Sequence, residues 1–196
     1  MGQVRNDIKK LIKENGSLAK ASSASQDWFD AGKKSVNEKG ASFTSKRFFP
    51  GKIYIFRYTP LNSKNLPWFD KNPVVLALDP AGANDVGINL NLLPKDVKEN
   101  LLDKVYSMFE AEIKSNSVGG AANNVKRQKH LSMTWENMKG FLKGPGYDFA
   151  LRQYIVGRKS AQAFVSYENW AKIVLCDFAD LQGTSYAELE RLFKKK

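Results

Sequence analysis

The 196 residues contain one cysteine, Cys176, and one histidine, His130. One of each excludes an intramolecular disulfide and a Cys/His zinc cage. A hydrolytic triad needs a histidine base within reach of its nucleophile, and His130 lies in a polar basic stretch far from Cys176. Long apolar runs are missing too: none approaches the roughly 18 residues that cross a bilayer, and the amino terminus is polar, with no apolar signal segment. The expectation is a soluble protein made in the cytosol, with no membrane partner. No G-x-x-x-x-G-K-[ST] loop occurs, and Gly144-Pro145-Gly146 lacks the helix and lysine of a phosphate cradle, so that tripeptide reads as a turn. Catalytic, cofactor-binding and metal residues are therefore not assigned, no cofactor or small-molecule substrate is expected, and the chain reads as a non-enzyme.

Acidic charge is the other shortage, with 20 Asp and Glu against 31 Lys and Arg, a net charge of +11. The excess is unevenly placed. Residues 1–49 carry +5, residues 50–113 carry −1, residues 114–159 carry +7 and residues 160–196 carry 0. A basic leader and a basic middle segment suit an anionic partner, either nucleic acid or an acidic protein face. The candidate contacts are Lys126, Arg127, Lys129, Arg152, Arg158 and Lys159, with Tyr154 and Trp135 as stacking partners only if exposed; core packing is their default. Asp70, Asp79, Asp85 and Asp96 are the carboxylates a Mg²⁺-dependent nuclease would have to bring together. Three of them sit in turns and the fourth at a helix start, where aspartate is favoured for structural reasons.

What is present is a punctuated hydrophobic stretch from Phe49 to Pro94. Lys52–Tyr58, Pro73–Asp79 and Gly87–Leu93 are short runs rich in β-branched and aromatic residues, bounded by Pro, Gly, Asn and Asp, and read as strands of a meander. Ile53 and Ile55 alternate with Tyr54, Phe56 and Tyr58, so both faces of the first strand are apolar. In the third run Ile88, Leu90 and Leu92 point inward and Asn89 and Asn91 outward. Pro94 opens a helix with a stripe at 97, 101, 105, 108 and 109. Ahead of the stretch, residues 8–14 form a short amphipathic helix stopped by Asn15-Gly16. Residues 17–46 are poor in large apolar side chains and cannot order alone, with Trp28 and Phe29 as the anchors a partner would take. Behind it, residues 114–146 read as a basic excursion with a short helix near 132–142. Asp148–Val156 reads as a helix, Ala161–Val165 and Trp170–Cys176 as strands, and Ser185 with Glu188 as a capping box. Cys176, inside an apolar run, reads as a small buried hydrophobe.

Pro50–Tyr58, Leu66–Leu76 and Gly87–Pro94, in that order and spacing, resemble a family of tailed-bacteriophage virion proteins of T-even-type phages and their relatives, of the DNA end-protector, neck or tail-completion type. The resemblance extends more weakly to Tyr147–Phe178 and departs at Asn91 and Leu92, where a histidine and an aromatic are expected. It implies a structural protein of the phage particle at the head–tail or tail vertex, such as a neck, hub or tail-completion protein, made in the host cytoplasm. Its partners would be other virion proteins and copies of itself. The alternative is a DNA end-protecting or DNA-channel protein, and a metal-dependent nuclease comes third. The fold expected is α+β: a small bent antiparallel sheet, SH3-like, with packed helices, residues 1–47 forming an extended basic arm and residues 48–196 one core domain.

Overall fold

The three punctuated runs form an antiparallel meander. In the computed structural model, whose described residues are 2–38, 47–61, 70–117, 133–144 and 146–177, β1 (Ile53–Tyr58) pairs with β2 (Val74–Ala81), and β2 with β3 (Asn84–Asn89). Gly82 at φ 67° turns the β2–β3 hairpin, a conformation that glycine adopts without steric cost. β4 (Leu151–Tyr154) extends the sheet beyond β3, and β5 (Lys159–Val165) pairs with the free edge of β1, giving the order β4-β3-β2-β1-β5.

That order forces curvature. β4 and β5 lie on opposite edges yet are joined by Ile155 and the 3₁₀ turn Val156–Arg158. In a flat sheet the two edges would be about 19 Å apart, more than a 3₁₀ turn spans at about 2 Å per residue. The sheet therefore bends until its ends approach. β1 and β4, which flat geometry would separate by about 14 Å, bring the Tyr154 ring to 5.2 Å from both Phe56 and Tyr58. The result is an α+β fold with a bent antiparallel sheet; β4 and β5 do not pair, so the sheet stays open.

Bending gives the sheet two different faces. The concave one holds Phe48, Tyr54, Phe56, Val75, Ala77 and Tyr154. On the convex one, Ile53, Ile55, Leu76, Leu78, Val86 and Ile88 join a larger core with the helices. Gly87 lies where the strands crowd: a Cβ there would come within 2.3 Å of Val75 Cγ1 and 2.7 Å of the Leu76 carbonyl oxygen. α3 (Lys95–Ser117) begins after Pro94 and buries Val97, Leu101, Val105 and Phe109, the expected stripe.

The leader is not an extended arm. Residues 3–38 form α1 (Gln3–Asn15) and α2 (Leu18–Glu38). α1 has no side-chain cap of its own, and Asp103 of α3 supplies one, accepting from the Val4 N–H at 2.6 Å. An acidic group at the positive end of a helix is stabilising; Arg5 adds an ion pair with Glu99. Along α2 the buried positions are Ala21, Ser25, Phe29 and Val36, four apart at first and then seven. Small residues in that stripe let the helix approach closely, and the Gly32 position faces the Ile55 side chain. Counting only large apolar residues hides such a helix.

Two further elements differ from their expected type. The segment expected as a helix around 148–156 supplies β4, because its backbone pairs with β3. Trp170–Leu175, expected as a strand, is α5. A short continuous apolar run does not distinguish the two, and the helix buries Trp170, Ala171, Ile173, Val174 and Leu175 among α1, α2 and α3. Of the 114–146 excursion, residues 114–117 finish α3, and α4 (Trp135–Lys143) buries Met138 and Leu142, with Met133 beside it. The capping box at Ser185 and the lysines at the carboxyl end lie outside the described residues.

Candidate nucleic-acid interface

The six cationic candidates divide into three groups. Lys126, Arg127 and Lys129, with His130, lie outside the described residues. Arg152 on β4 and Arg158 in the 3₁₀ crossover are half-buried and lie close together in the chain. Burial holds the Arg152 guanidinium below its ordinary pKa, with Tyr154 opposing.

Lys159 is not at the surface. Its side chain is 0% exposed and ion-paired with Asp85, itself 1% exposed. It also donates to Gln162 Oε1 at 3.3 Å, and the ammonium sits 3.9 Å from the Phe48 ring centroid. β5 puts Lys159 opposite Tyr58 on the concave side, facing Asp85 on β3. Burial lowers its pKa and Asp85 opposes the shift. Arg47 completes the group: its Nε lies 2.8 Å from Asp85 Oδ1, and its terminal nitrogens donate to the carbonyls of Ala83 at 2.7 Å, Asn84 at 3.1 Å and Gly82 at 3.2 Å. Arg47 and Lys159 thus bind one carboxylate and hold residues 47–49 across the open edge of the bend.

A second polar cluster surrounds Asp70. Its carboxylate accepts from the Asn72 N–H at 3.0 Å, from Asn89 Nδ2 at 3.4 Å and from Asn91 Nδ2. Asn89 and Asn91 are therefore buried rather than solvent-exposed: Asn89, opposite Val75, lies on the concave side of the sheet, and the 3₁₀ turn Leu90–Leu92 that follows β3 carries Asn91 to Asp70. Burial pushes the Asp70 carboxyl up to about 6, against the lowering effect of these hydrogen bonds.

The four carboxylates a nuclease would need are placed apart in the fold: Asp85 is bound by two cations, Asp70 by amides, Asp96 lies in the first turn of α3, and Asp79 lies in β2 with its N–H on the Met133 carbonyl at 3.1 Å, so Asp79 and Asp85 belong to strands and not to turns. Among the described residues no three His, Cys, Asp or Glu side chains gather to hold a metal ion. Cys176 is a buried thiol that donates to the Ser25 carbonyl at 3.0 Å, and burial pushes its pKa up to about 12.

The nominated aromatics are turned inward. Tyr154 is buried, Trp135 packs half-buried on the core, and Phe29, nominated as a partner anchor, is only 3% exposed. Trp28 is half-buried, with Lys172 Nζ 5.8 Å from its ring centroid. These anchors fasten the leader to its own chain. Among the described residues the exposed aromatics are Phe49 and Phe164, which the sequence reading did not single out. The only sequence signal for Phe164 is its place in the Ala163-Phe164-Val165 alternation; Phe49 merely precedes the Pro50-Gly51 turn.

The class is therefore an α+β protein built on a bent, open five-stranded sheet, with basic segments outside it. The family model described as phage T4 terminal DNA protecting protein matches residues 1–194, and the chain belongs to that family. The match takes in the leader and the 114–146 segment as well as the motifs that carried the resemblance. No curated protein and no solved structure matches the chain. No helix among the described residues is long and apolar enough to cross a membrane.

Proposed function

We propose that this phage protein binds the ends of linear duplex DNA and shields them from exonucleases by occupancy, without chemistry of its own. The observation that carries this reading is the family match over residues 1–194. The charge distribution supports it: +7 falls within residues 114–159, and the terminal phosphates of a duplex need dense positive charge and no recognition motif. Lys126, Arg127, Lys129, Arg152 and Arg158 are the residues we assign to phosphate contact. Lys159 is left out because its charge is neutralised inside the fold. The head–tail vertex role, exercised through copies of itself as a neck, hub or completion protein, draws no support from the match, which concerns DNA ends.

The test is an exonuclease assay on a blunt linear duplex with the full-length protein, at two salt concentrations. Protection should be strong at low salt and fall steeply as salt rises. Replacing Lys126, Arg127 and Lys129 together by Gln should weaken protection about tenfold or more, with an unchanged melting temperature, and lower the salt slope by roughly 2–3. Equal digestion with and without wild-type protein at low salt would sink the reading.

A further inference from the structure

Phosphate contacts do not distinguish a DNA end from a point along the duplex. A base face does, because every internal base pair is covered above and below, and only the last pair exposes its π surface. A protein that prefers ends therefore benefits from a stacking surface beside a cation. The described residues carry such a surface. Phe49 and Phe164 are 68% and 56% exposed, whereas the other described aromatics are buried or half-buried.

Both adjoin one side chain, Tyr54. The Phe49 N–H donates to the Tyr54 hydroxyl at 3.2 Å. Phe164 pairs with Tyr54 across β1 and β5, with ring centroids 6.2 Å apart in an edge contact. Tyr54 is itself held from behind by Phe48, stacked at 4.9 Å. The turn carrying Phe49 is fixed as well. Gly51 takes φ 79° with its N–H on the Ala77 carbonyl at 2.9 Å, and a Cβ there would meet the Phe109 ring at 2.7 Å. Lys52 brings its ammonium to 5.4 Å from the Phe164 ring centroid, and Arg47 is anchored two residues before Phe49. Phe49 and Phe164 thus flank Tyr54 at one corner of the sheet, Phe49 through its backbone N–H and Phe164 through its ring, with the Lys52 ammonium alongside.

We propose that Phe49 and Phe164 form a platform on which the terminal base pair of a duplex stacks, with Lys52 beside the terminal phosphate. This rests on the end-binding reading above and supplies what the phosphate contacts lack, the preference for an end. It makes no demand on base sequence, because every base offers a π face.

The experiment uses the full-length protein and two DNAs of the same sequence, one linear and blunt-ended, the other a covalently closed circle. Wild-type protein should prefer the linear form. The double variant Phe49→Ala/Phe164→Ala should lose about tenfold or more of its affinity for ends, bind the circle as before and keep its melting temperature. Phe164→Trp should retain the preference. A terminal 2-aminopurine should change fluorescence on binding wild-type protein and not on binding the double variant. If wild-type protein prefers ends and the double variant does so equally, the platform is overturned while end binding stands. If wild-type protein shows no preference for ends, both fail together. A double variant that keeps its end preference but loses self-association in light scattering would identify the corner as a contact between copies and also overturn the platform.

Discussion

The two faces of the sheet bury different chemistry. The convex face, under the helices, takes Ile, Leu and Val from all the central strands, and among the described residues the one charged side chain buried with it is Lys98, whose Nζ donates to the Ile173 and Cys176 carbonyls at 3.1 and 3.0 Å. The concave face takes aromatic rings together with the Lys159–Asp85–Arg47 group and borders the Asp70 amide cluster. One face is positioned by packing area, the other by packing area plus paired charge. Removing a methyl group weakens the first gradually, whereas removing one member of an ion pair leaves the other buried and unbalanced.

The largest expected effect tests that contrast directly. Asp85→Ala should lower stability by about 3–5 kcal/mol, because Lys159 would remain buried without its counterion. Leu76→Ala on the convex face should lose about 2–5 kcal/mol through its cavity. The two differ in their repair: Asp85→Leu combined with Lys159→Met should recover much of the loss. Urea unfolding of the three variants decides this, and an Asp85→Ala protein as stable as wild type would remove the distinction between the faces.

Next comes Lys98, the charged group buried on the convex side. Lys98→Ala leaves two carbonyls at the end of α5 without their donor and should lose about 2–4 kcal/mol, read from the same denaturation midpoint. A loss below about 0.5 kcal/mol would mean that water replaces the ammonium and that the α5 end is not sealed. Burial lowers the pKa of this lysine to about 7.

The smallest effect is a pH dependence at Asp70. Its folded pKa of about 6 lies above the ordinary carboxyl value, so the native state holds the proton more tightly than the unfolded chain. The contribution of this site to stability is then greatest at low pH and is lost as pH rises through about 6. Wild type should gain about 1 kcal/mol relative to Asp70→Asn on going from pH 7 to pH 5. Urea midpoints of both proteins at the two pH values supply the difference, and parallel curves would show that burial does not raise the carboxyl's pKa.

Much of the fold was legible where local rules and tertiary context agree. The α3 stripe, the meander and the buried Cys176 all follow from periodicity or composition. The candidate site was less legible. Lys159 reads as one more surface cation beside Arg158, and nothing local reveals that β5 brings it opposite an aspartate 74 residues away. Asn89 and Asn91 read as outward polar positions by alternation, and only the 3₁₀ turn that follows β3 rotates Asn91 inward. α2 was hidden because its stripe uses Ala, Ser and Gly, whose value lies in the close approach they permit and not in their own hydrophobicity.

The sequence by itself determined that the chain is basic, that its net charge lies outside a β-rich centre, and that a single cysteine allows no intramolecular disulfide, because composition and spacing suffice for these. Only the tertiary structure decided which cations face solvent and which are neutralised, and that Phe49 and Phe164 are left exposed beside Tyr54. Those outcomes depend on the bend of the sheet, which brings together strands distant along the chain, and no local pattern encodes a contact whose two halves lie 74 residues apart.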